Sequence, residues 1–492
     1  MPSSSLSTTS ILERLLGTSN YNVVLAVSAN IISWLVATLA PSKLPCLLPF
    51  IPEEEKSNDA SANANASDDS VTRTRCVAIG RPGGMEQLRI ITLKQGYVTC
   101  GYNLPGCDSP FVDVSSLDKN KKLGDTTLVV VRICAFSINY ADCCIRWGLY
   151  ESANRFVGYP IVPGFDVAGV VEQVIPSSSS SSSTTFQKGD KVYGATFFGA
   201  YSTRCLIPAN QLRKMPEGLS YAEAAALPAV SLTALYALHL GGRFPFTTSE
   251  QSEQQEEKNS NITVIAPSNR SILIHSAAGG VGSMMVQMSK LLGLSPVVGV
   301  VGRTAKVDEA KALGCDVVID KQRLREEESS IWDSIKAAGP TDGYSIIADP
   351  NGVSTLQDSF EHLCPTGRLI VYGFHSNLPM GRDSLNPMEW IRMIFKASKM
   401  PAFDPMELVT LNKSVLGFNL SFFVNETNML MPMYDQIERW LKEEGKDDGK
   451  QKLRCPRITE MHMNDIGEAH QLLQSGKTVG KVVMIAADDD KN

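Results

Sequence analysis

Residues 271–306 limit what this chain can fold into more than any other stretch. Ile272, Leu273 and Ile274 read as a short buried strand, and the turn Gly279-Gly280-Val281-Gly282 follows almost at once. Residues 283–292 have the length and apolar content of a helix, stopped at Gly293 as a C-cap, and 297–301 reads as a second buried strand. Strand, turn, helix and strand within about 30 residues make one βαβ crossover. In the turn, Ser276, Gly279 and Gly282 are three apart, with Ser in place of the first glycine of the dinucleotide fingerprint. Glycine lets the backbone close on a pyrophosphate, and the helix N-terminus offers free N–H groups and a positive dipole end. Ser276, Gly279, Gly280, Val281 and Gly282 are therefore the candidate cofactor-binding residues.

The second strand bears on which dinucleotide. An NAD site places an Asp or Glu there, about 20 residues on, to hold the ribose 2′-hydroxyl. No carboxylate occurs from Ser283 to Val307; the expected position falls near Val301, and Gly302-Arg303-Thr304-Ala305-Lys306 follows. A 2′-phosphate is repelled by an acid and paired by a guanidinium. Arg303 and Lys306 in this turn favour NADPH over NADH, the alternative being two solvated surface charges.

A chain of 492 residues has room for two or three domains. A net charge of −6 argues against a general nucleic-acid binder. The eleven cysteines are scattered, with no CxxC and one adjacent pair, Cys143-Cys144, which points to a reducing compartment rather than a disulfide framework. Residues 23–40 carry no charge and would make about 27 Å of helix, marginal for a bilayer core. An anchor, a targeting sequence and an amphipathic docking helix all remain open for this segment, with membrane association slightly favoured. Residues 52–70, acidic and rich in Ser, Asn and Ala, read as a disordered linker.

From Arg73 to about Leu227 short strand signals recur, at 77–79, 88–93, 128–134, 167–174 and 191–193, punctuated by Gly and Pro. Three stretches read as solvated inserts: 96–125, the serine run 177–183 and the acidic segment 246–270. Within this part lies Asn139-Tyr140-Ala141-Asp142-Cys143-Cys144-Ile145-Arg146-Trp147-Gly148-Leu149-Tyr150. Asp142 and Arg146, four apart, read as a helical ion pair. His275, at a strand end, reads as a packed, hydrogen-bonded histidine. Further strands are expected at 317–319, 345–348, 368–372 and 480–484, and helices at 308–313, 386–399, 429–441 and 466–473. The 386–399 helix is apolar on several faces, which suits a core or dimer contact, or a membrane-facing surface.

His275-Ser276-Ala277-Ala278-Gly279-Gly280-Val281-Gly282 resembles the signature of the zinc-free quinone oxidoreductases of the medium-chain dehydrogenase/reductase superfamily. Leu385-Asn386-Pro387 and the segment 414–420 resemble most the vesicle amine transport protein branch. The resemblance implies an α/β fold: a GroES-like β-barrel catalytic domain at 73–227, completed by 428–486, and a Rossmann-type doubly wound parallel sheet at 228–427. Residues 1–72 would be the apolar segment and linker, and 487–492 a tail. Segment 139–150 resembles a family segment that lines the substrate cleft. By that resemblance Asn139 lies near the nicotinamide, Thr233 contacts its carboxamide, and Tyr150 is the candidate to hydrogen-bond the substrate or donate a proton, the alternative being a packed loop aromatic. Many quinone-reducing members carry a second tyrosine where Cys144 stands, which puts the substrate in doubt. Lys321 aligns within reach of the 2′-phosphate but reads first as a surface lysine, and Gly373 and Phe374, at the carboxyl end of a strand in an open α/β sheet, are candidate nicotinamide neighbours. The places of the three zinc ligands of metal-dependent relatives hold Asn139, Phe165 and Val230, so no zinc is expected.

Without a metal to hold an alkoxide, alcohol oxidation is disfavoured and conjugated acceptors are easier. The expectation is an NADPH-dependent reductase of a quinone or α,β-unsaturated carbonyl, acting as a homodimer. The alternative is a membrane-associated protein doing lipid or vesicle work on the same fold with little or no turnover.

Overall fold

The structure is a computed structural model that describes residues 73–101, 109–117, 126–177, 186–242, 270–378, 387–423, 427–442 and 452–486. The apolar segment 23–40, the linker 52–70, the insert 246–269 and the serine run beyond Ser177 lie outside the described residues.

The first part of the chain is strand-rich because its sequence alternates short β-branched runs with Gly- and Pro-containing turns. Its strands are β1 (Arg75–Ala78), β2 (Arg89–Thr92), β3 (Tyr97–Cys100), β4 (Phe111–Asp113), β5 (Leu128–Ile138), β6 (Asp166–Ile175), β7 (Lys191–Ala195), β8 (Arg204–Pro208) and β9 (Leu212–Lys214). β1 and β2 pair antiparallel, and the rest form a sheet ordered β4-β3-β8-β5-β6-β7-β9. β5 is central, pairing with β6 on one side and β8 on the other. Two irregularities in the β5–β6 register, at Val130/Val131 and Ile133/Ala135, bend these long strands around a core that includes Val131, Ile133, Phe136 and Val167. The expected solvated insert 96–125 is partly sheet. β3 pairs β8, and Val98 and Cys100 pack with Val112, Leu128 and Leu206 in a core of their own. Burial of this alternate face outweighs the polar composition around it.

The second part is α/β. Its strands are β10 (Ile272–His275), β11 (Val297–Val301), β12 (Val317–Asp320), β13 (Tyr344–Asp349), β14 (Leu363–Val371) and β15 (Ser414–Gly417), all parallel, in the order β12-β11-β10-β13-β14-β15. This is a doubly wound sheet whose order reverses between β10 and β13, the point at which such sheets bind dinucleotides. Leu273, Val298, Val300, Ile347 and Leu369 fill one face with Ile335 and Phe360 from the helices. The helix after the glycine turn, Gly280–Leu291, ends one residue before the expected stop; Leu292 is its C-cap, and Gly293 takes the left-handed conformation at φ 69°.

The chain returns through β16 (Ile458–His462) and β17 (Lys481–Ile485), and β17 pairs antiparallel with β5. Two compact units result. One holds Val230–Arg454, the other the described residues up to Ala229 with those from Cys455 on. The return is later than the expected residue 428. The helix Thr427–Lys442 belongs with the parallel sheet, and the segment after it is tied there by Gln287, which accepts from the Arg454 N–H and donates to its carbonyl. Among the described residues no helix is long and apolar enough to cross a membrane.

Ile347 is fully buried at the middle of the parallel sheet. Ile347→Ala should destabilise that unit by about 2–5 kcal/mol in chemical denaturation. Val409→Ser, at a 77% exposed position, should stay within about 0.5 kcal/mol.

Candidate functional site

The cofactor side is built at the carboxyl ends of adjacent parallel strands. After β10 the chain enters the left-handed region at Ser276, φ 59°, the conformation usually assigned to the fingerprint's first glycine; a non-glycine residue pays roughly 1–2 kcal/mol there. The turn is pinned by Gly279 N–H donating to Ser276 O at 2.9 Å and Ala277 N–H donating to Val300 O at 3.0 Å. A Cβ at Gly282 would lie 2.2 Å from Ser276 O and 2.8 Å from Ala277 Cα, so only glycine permits this approach of helix to turn. Gly279, the N-cap, and the half-buried Gly280 and Val281 begin the helix, whose first-turn N–H groups precede any intrahelical partner. Such a cradle fits a pyrophosphate.

Arg303 and Lys306 follow β11, the next strand over, on a short 3₁₀ turn. Burial and the neighbouring Arg303 guanidinium hold Lys306 below the ordinary lysine range. Lys321, just past β12, is likewise lowered, by burial and by Arg325, with Asp349 opposing. Arg325 was not anticipated from the sequence. These basic residues concentrate at one edge, where a doubly charged phosphate would relieve their repulsion. Asp349, at the end of β13, accepts from Asn351 N–H, Thr355 Oγ1 and Ser359 Oγ, and the buried His275 Nε2 lies 3.1 Å from Ser359 Oγ. His275 is thus a packed, hydrogen-bonded histidine, held below its usual range by burial. Gly373 and the half-exposed Phe374 follow β14 on the same edge, and Thr233 is half-buried on the helix Pro228–Leu240 of the same unit.

Asn139 and Tyr150 belong to the other unit. Asn139 caps the helix Tyr140–Trp147; that helix ends at Gly148, and Tyr150 caps the next, Glu151–Phe156. Tyr150 is half-buried, edge-on to Phe165 with ring centroids 5.9 Å apart. Cys144, where many relatives carry a second tyrosine, is buried.

The expected Asp142–Arg146 ion pair is not formed. Asp142 accepts from Asn139 N–H at 2.8 Å and Gly164 N–H at 3.0 Å, while Arg146 donates to Gly83 O at 2.9 Å. Both are buried, and each is drawn to a backbone group supplied by the fold. Burial raises Asp142 to about 7, opposed chiefly by the Asn139 N–H and the Lys481 ammonium. The Tyr201 hydroxyl lies 3.1 Å from His470 Nε2, whose Nδ1 is 3.6 Å from Cys143 Sγ.

Beside this chain lies a second buried group. Asp166 accepts from Ser137 Oγ at 2.5 Å, Asn139 Nδ2 at 2.8 Å and Ala229 N–H at 2.7 Å. Lys481 on β17 donates to Asn139 Oδ1 at 2.7 Å and Ile138 O at 3.0 Å, and its ammonium stands 3.5 Å from Asp166. Sequence reasoning missed Lys481 and Asp166; the one signal was a lysine inside an otherwise apolar strand. Asn139, Phe165 and Val230 offer a zinc ion an amide and two hydrocarbon side chains, which do not fit it. Among the described residues no group of three His, Cys, Asp or Glu side chains could hold a metal ion.

A GroES-like unit interleaved with a doubly wound dinucleotide sheet defines the class. The alcohol dehydrogenase GroES-like domain family matches residues 125–235, and the zinc-binding dehydrogenase family matches residues 280–433. The chain belongs to the medium-chain dehydrogenase/reductase superfamily, and its relatives there include VAT-1 proteins and quinone and enone reductases. It is 27% identical over 359 residues to the synaptic vesicle membrane protein VAT-1 homolog of Danio rerio, covering 72% of this chain and 63% of that protein. It is 29% identical over 324 residues to the 2-methylene-furan-3-one reductase of Solanum lycopersicum, covering 63% of this chain and 72% of the relative. The crystal structure of Escherichia coli quinone oxidoreductase complexed with NADPH shares the fold, with a TM-score of 0.57 and 21% identity over 84% of this chain and 99% of that one. Members of this superfamily bind NAD(P)H, and the relatives of this chain include quinone oxidoreductases and enone reductases.

Burial lowers His470 to about 3. Unfolded, its imidazole takes up a proton near 6.5, so it contributes stability that is present above that pH and lost on acidification toward 3. His470→Gln should remove about one proton from the unfolding linkage between pH 6 and 4. Denaturation curves across that range should show the variant losing less stability on acidification than the wild type.

Proposed function

We propose that this chain is an NADPH-dependent, zinc-independent oxidoreductase that delivers hydride to a quinone or α,β-unsaturated carbonyl. The observation that carries the reading is the pairing of the glycine cradle after β10 with Arg303 and Lys306 after β11, where no carboxylate stands to claim a ribose 2′-hydroxyl. The cradle residues Ser276 and Gly279–Gly282 hold the pyrophosphate, Arg303 and Lys306 pair the 2′-phosphate, and Thr233, Gly373 and Phe374 bound the nicotinamide. The donor set at Asn139, Phe165 and Val230 supports chemistry without zinc.

Bound NADPH supplies a hydride. As hydride reaches the electron-poor carbon of a conjugated acceptor, the electron pair moves onto the carbonyl oxygen, and the residues around that oxygen determine the rate. Asn139 offers an amide N–H to the developing oxyanion. Tyr150 orients the acceptor with its ring and hydroxyl and passes a proton to the reduced product, the proton being replaced from water. The similarity to the tomato 2-methylene-furan-3-one reductase and the E. coli quinone oxidoreductase supports this substrate class.

A second reading is favoured by the match to the synaptic vesicle membrane protein VAT-1 homolog: a membrane-associated protein on the same fold, held through residues 23–40, with little or no turnover. In either case this reading puts the catalytic part in a reducing compartment, which the scattered cysteine spacing without a CxxC supports. A homodimer is supported by exposed Ile391, Phe395, Met406 and Val409 on the helices that precede the edge strand β15.

NADPH oxidation by the full chain against a panel of quinones and enones tests the first reading. Turnover above the uncatalysed rate supports it; tight NADPH binding with no acceptor reduced favours the second. Arg303→Ala/Lys306→Ala should raise the Kd for NADPH by about 10- to 100-fold and leave the Kd for NADH within about twofold.

A further inference from the structure

We infer that Lys481 is a positioning residue for the reduction proposed above: its ammonium locks and polarises the Asn139 amide, so that the spare Asn139 N–H serves as a charge-assisted donor to the acceptor's oxyanion. The inference rests on that reading of Asn139 and goes beyond it by assigning a role to a residue 342 positions away in sequence.

The geometry fixes the amide. Lys481 has only donors, so the Asn139 atom 2.7 Å from its Nζ is Oδ1. Asp166 accepts, so the atom 2.8 Å from its Oδ2 is Nδ2. Both assignments agree, and the amide can face only one way. Lys481 is fully committed to this: its three contacts are Asn139 Oδ1, Ile138 O and the Asp166 carboxylate, and its side chain is 4% exposed. The other donors to Asp166 are Ser137 Oγ and Ala229 N–H. Asn139 spends its backbone N–H on Asp142 and one Nδ2 hydrogen on Asp166, and the second Nδ2 hydrogen has no partner among the described residues.

An ammonium bonded to the amide oxygen draws electron density from nitrogen and makes that remaining N–H a stronger donor, an effect that grows where water is excluded. The Asp166 carboxylate, which accepts the other Nδ2 hydrogen and stands 3.5 Å from the ammonium, balances its charge, so the polarisation comes from the direct ammonium–oxygen bond and not from a net positive charge.

A double-mutant cycle on the full chain tests it. Lys481→Met and Asn139→Ala should each lower kcat by about 10- to 100-fold, somewhat less than or similar to the loss of a direct oxyanion donor, with NADPH Kd unchanged. The double variant should be no slower than the slower single variant, because Lys481 acts through Asn139. Multiplying effects, or a loss confined to NADPH binding, would overturn the inference. Lys481→Met strands the Asp166 carboxylate, so Lys481→Met/Asp166→Asn is the charge-balanced version if the single variant does not fold; it should show the same loss in kcat. Wild type that reduces no acceptor would sink the functional reading. The Asn139 side-chain amide resonance, identified by its loss in Asn139→Ala, then decides the inference alone. Lys481→Met should shift it, and an unmoved resonance would refute the coupling.

Discussion

The approach of the helix Gly280–Leu291 to the turn that feeds it is the constraint on which the cofactor unit depends. Gly282 stands against the Ser276 carbonyl with no room for a Cβ, and Ser276 itself is left-handed. That contact aims the first-turn N–H groups out of the carboxyl edge of the sheet. It also brings β10 and β11 into register, Ile272 opposite Val297 and His275 opposite Val300, which sets Arg303 one strand away from the turn. The proposed phosphate recognition at two points would follow from one backbone geometry.

The other unit is organised by buried charge. Asp142, Asp166 and Lys481 are all nearly or wholly inaccessible, and each is held by several hydrogen bonds. Breaking one member would leave an uncompensated buried charge, so the network behaves as a single object. It joins β5, β6, the cap of the helix Tyr140–Trp147 and the returning strand β17. Burial holds Lys481 below the usual lysine range while the two carboxylates oppose that fall. The return of the chain at Cys455 therefore completes the polar interior of this unit as well as its sheet.

Much of the fold was legible because its signals are local. The strands β10 and β11 and the helix between them are bounded by glycine and by apolar runs too short to be anything else. The left-handed Ser276 occupies the place that the fingerprint spacing reserved for glycine. What was illegible required distant partners. A four-residue spacing suggested an Asp142–Arg146 pair, but their real partners, Gly164 and Gly83, lie 22 and 63 residues away. The polar tract 96–125 concealed β3 and β4 because their burial depends on β8, about a hundred residues on. Lys481 sat in plain view within an apolar strand, and only the pairing of β17 with β5 shows that it reaches Asn139.

The most direct test is the affinity of Gly282→Ala for NADPH, measured by titration calorimetry on the full chain with unfolding curves alongside. The account predicts binding weakened by at least about 100-fold, since the added Cβ would lie 2.2 Å from Ser276 O and must push the helix off the turn, while the barrel-like unit unfolds as in wild type. Wild-type affinity in a folded Gly282→Ala variant would show that the dinucleotide sits elsewhere and would contradict it.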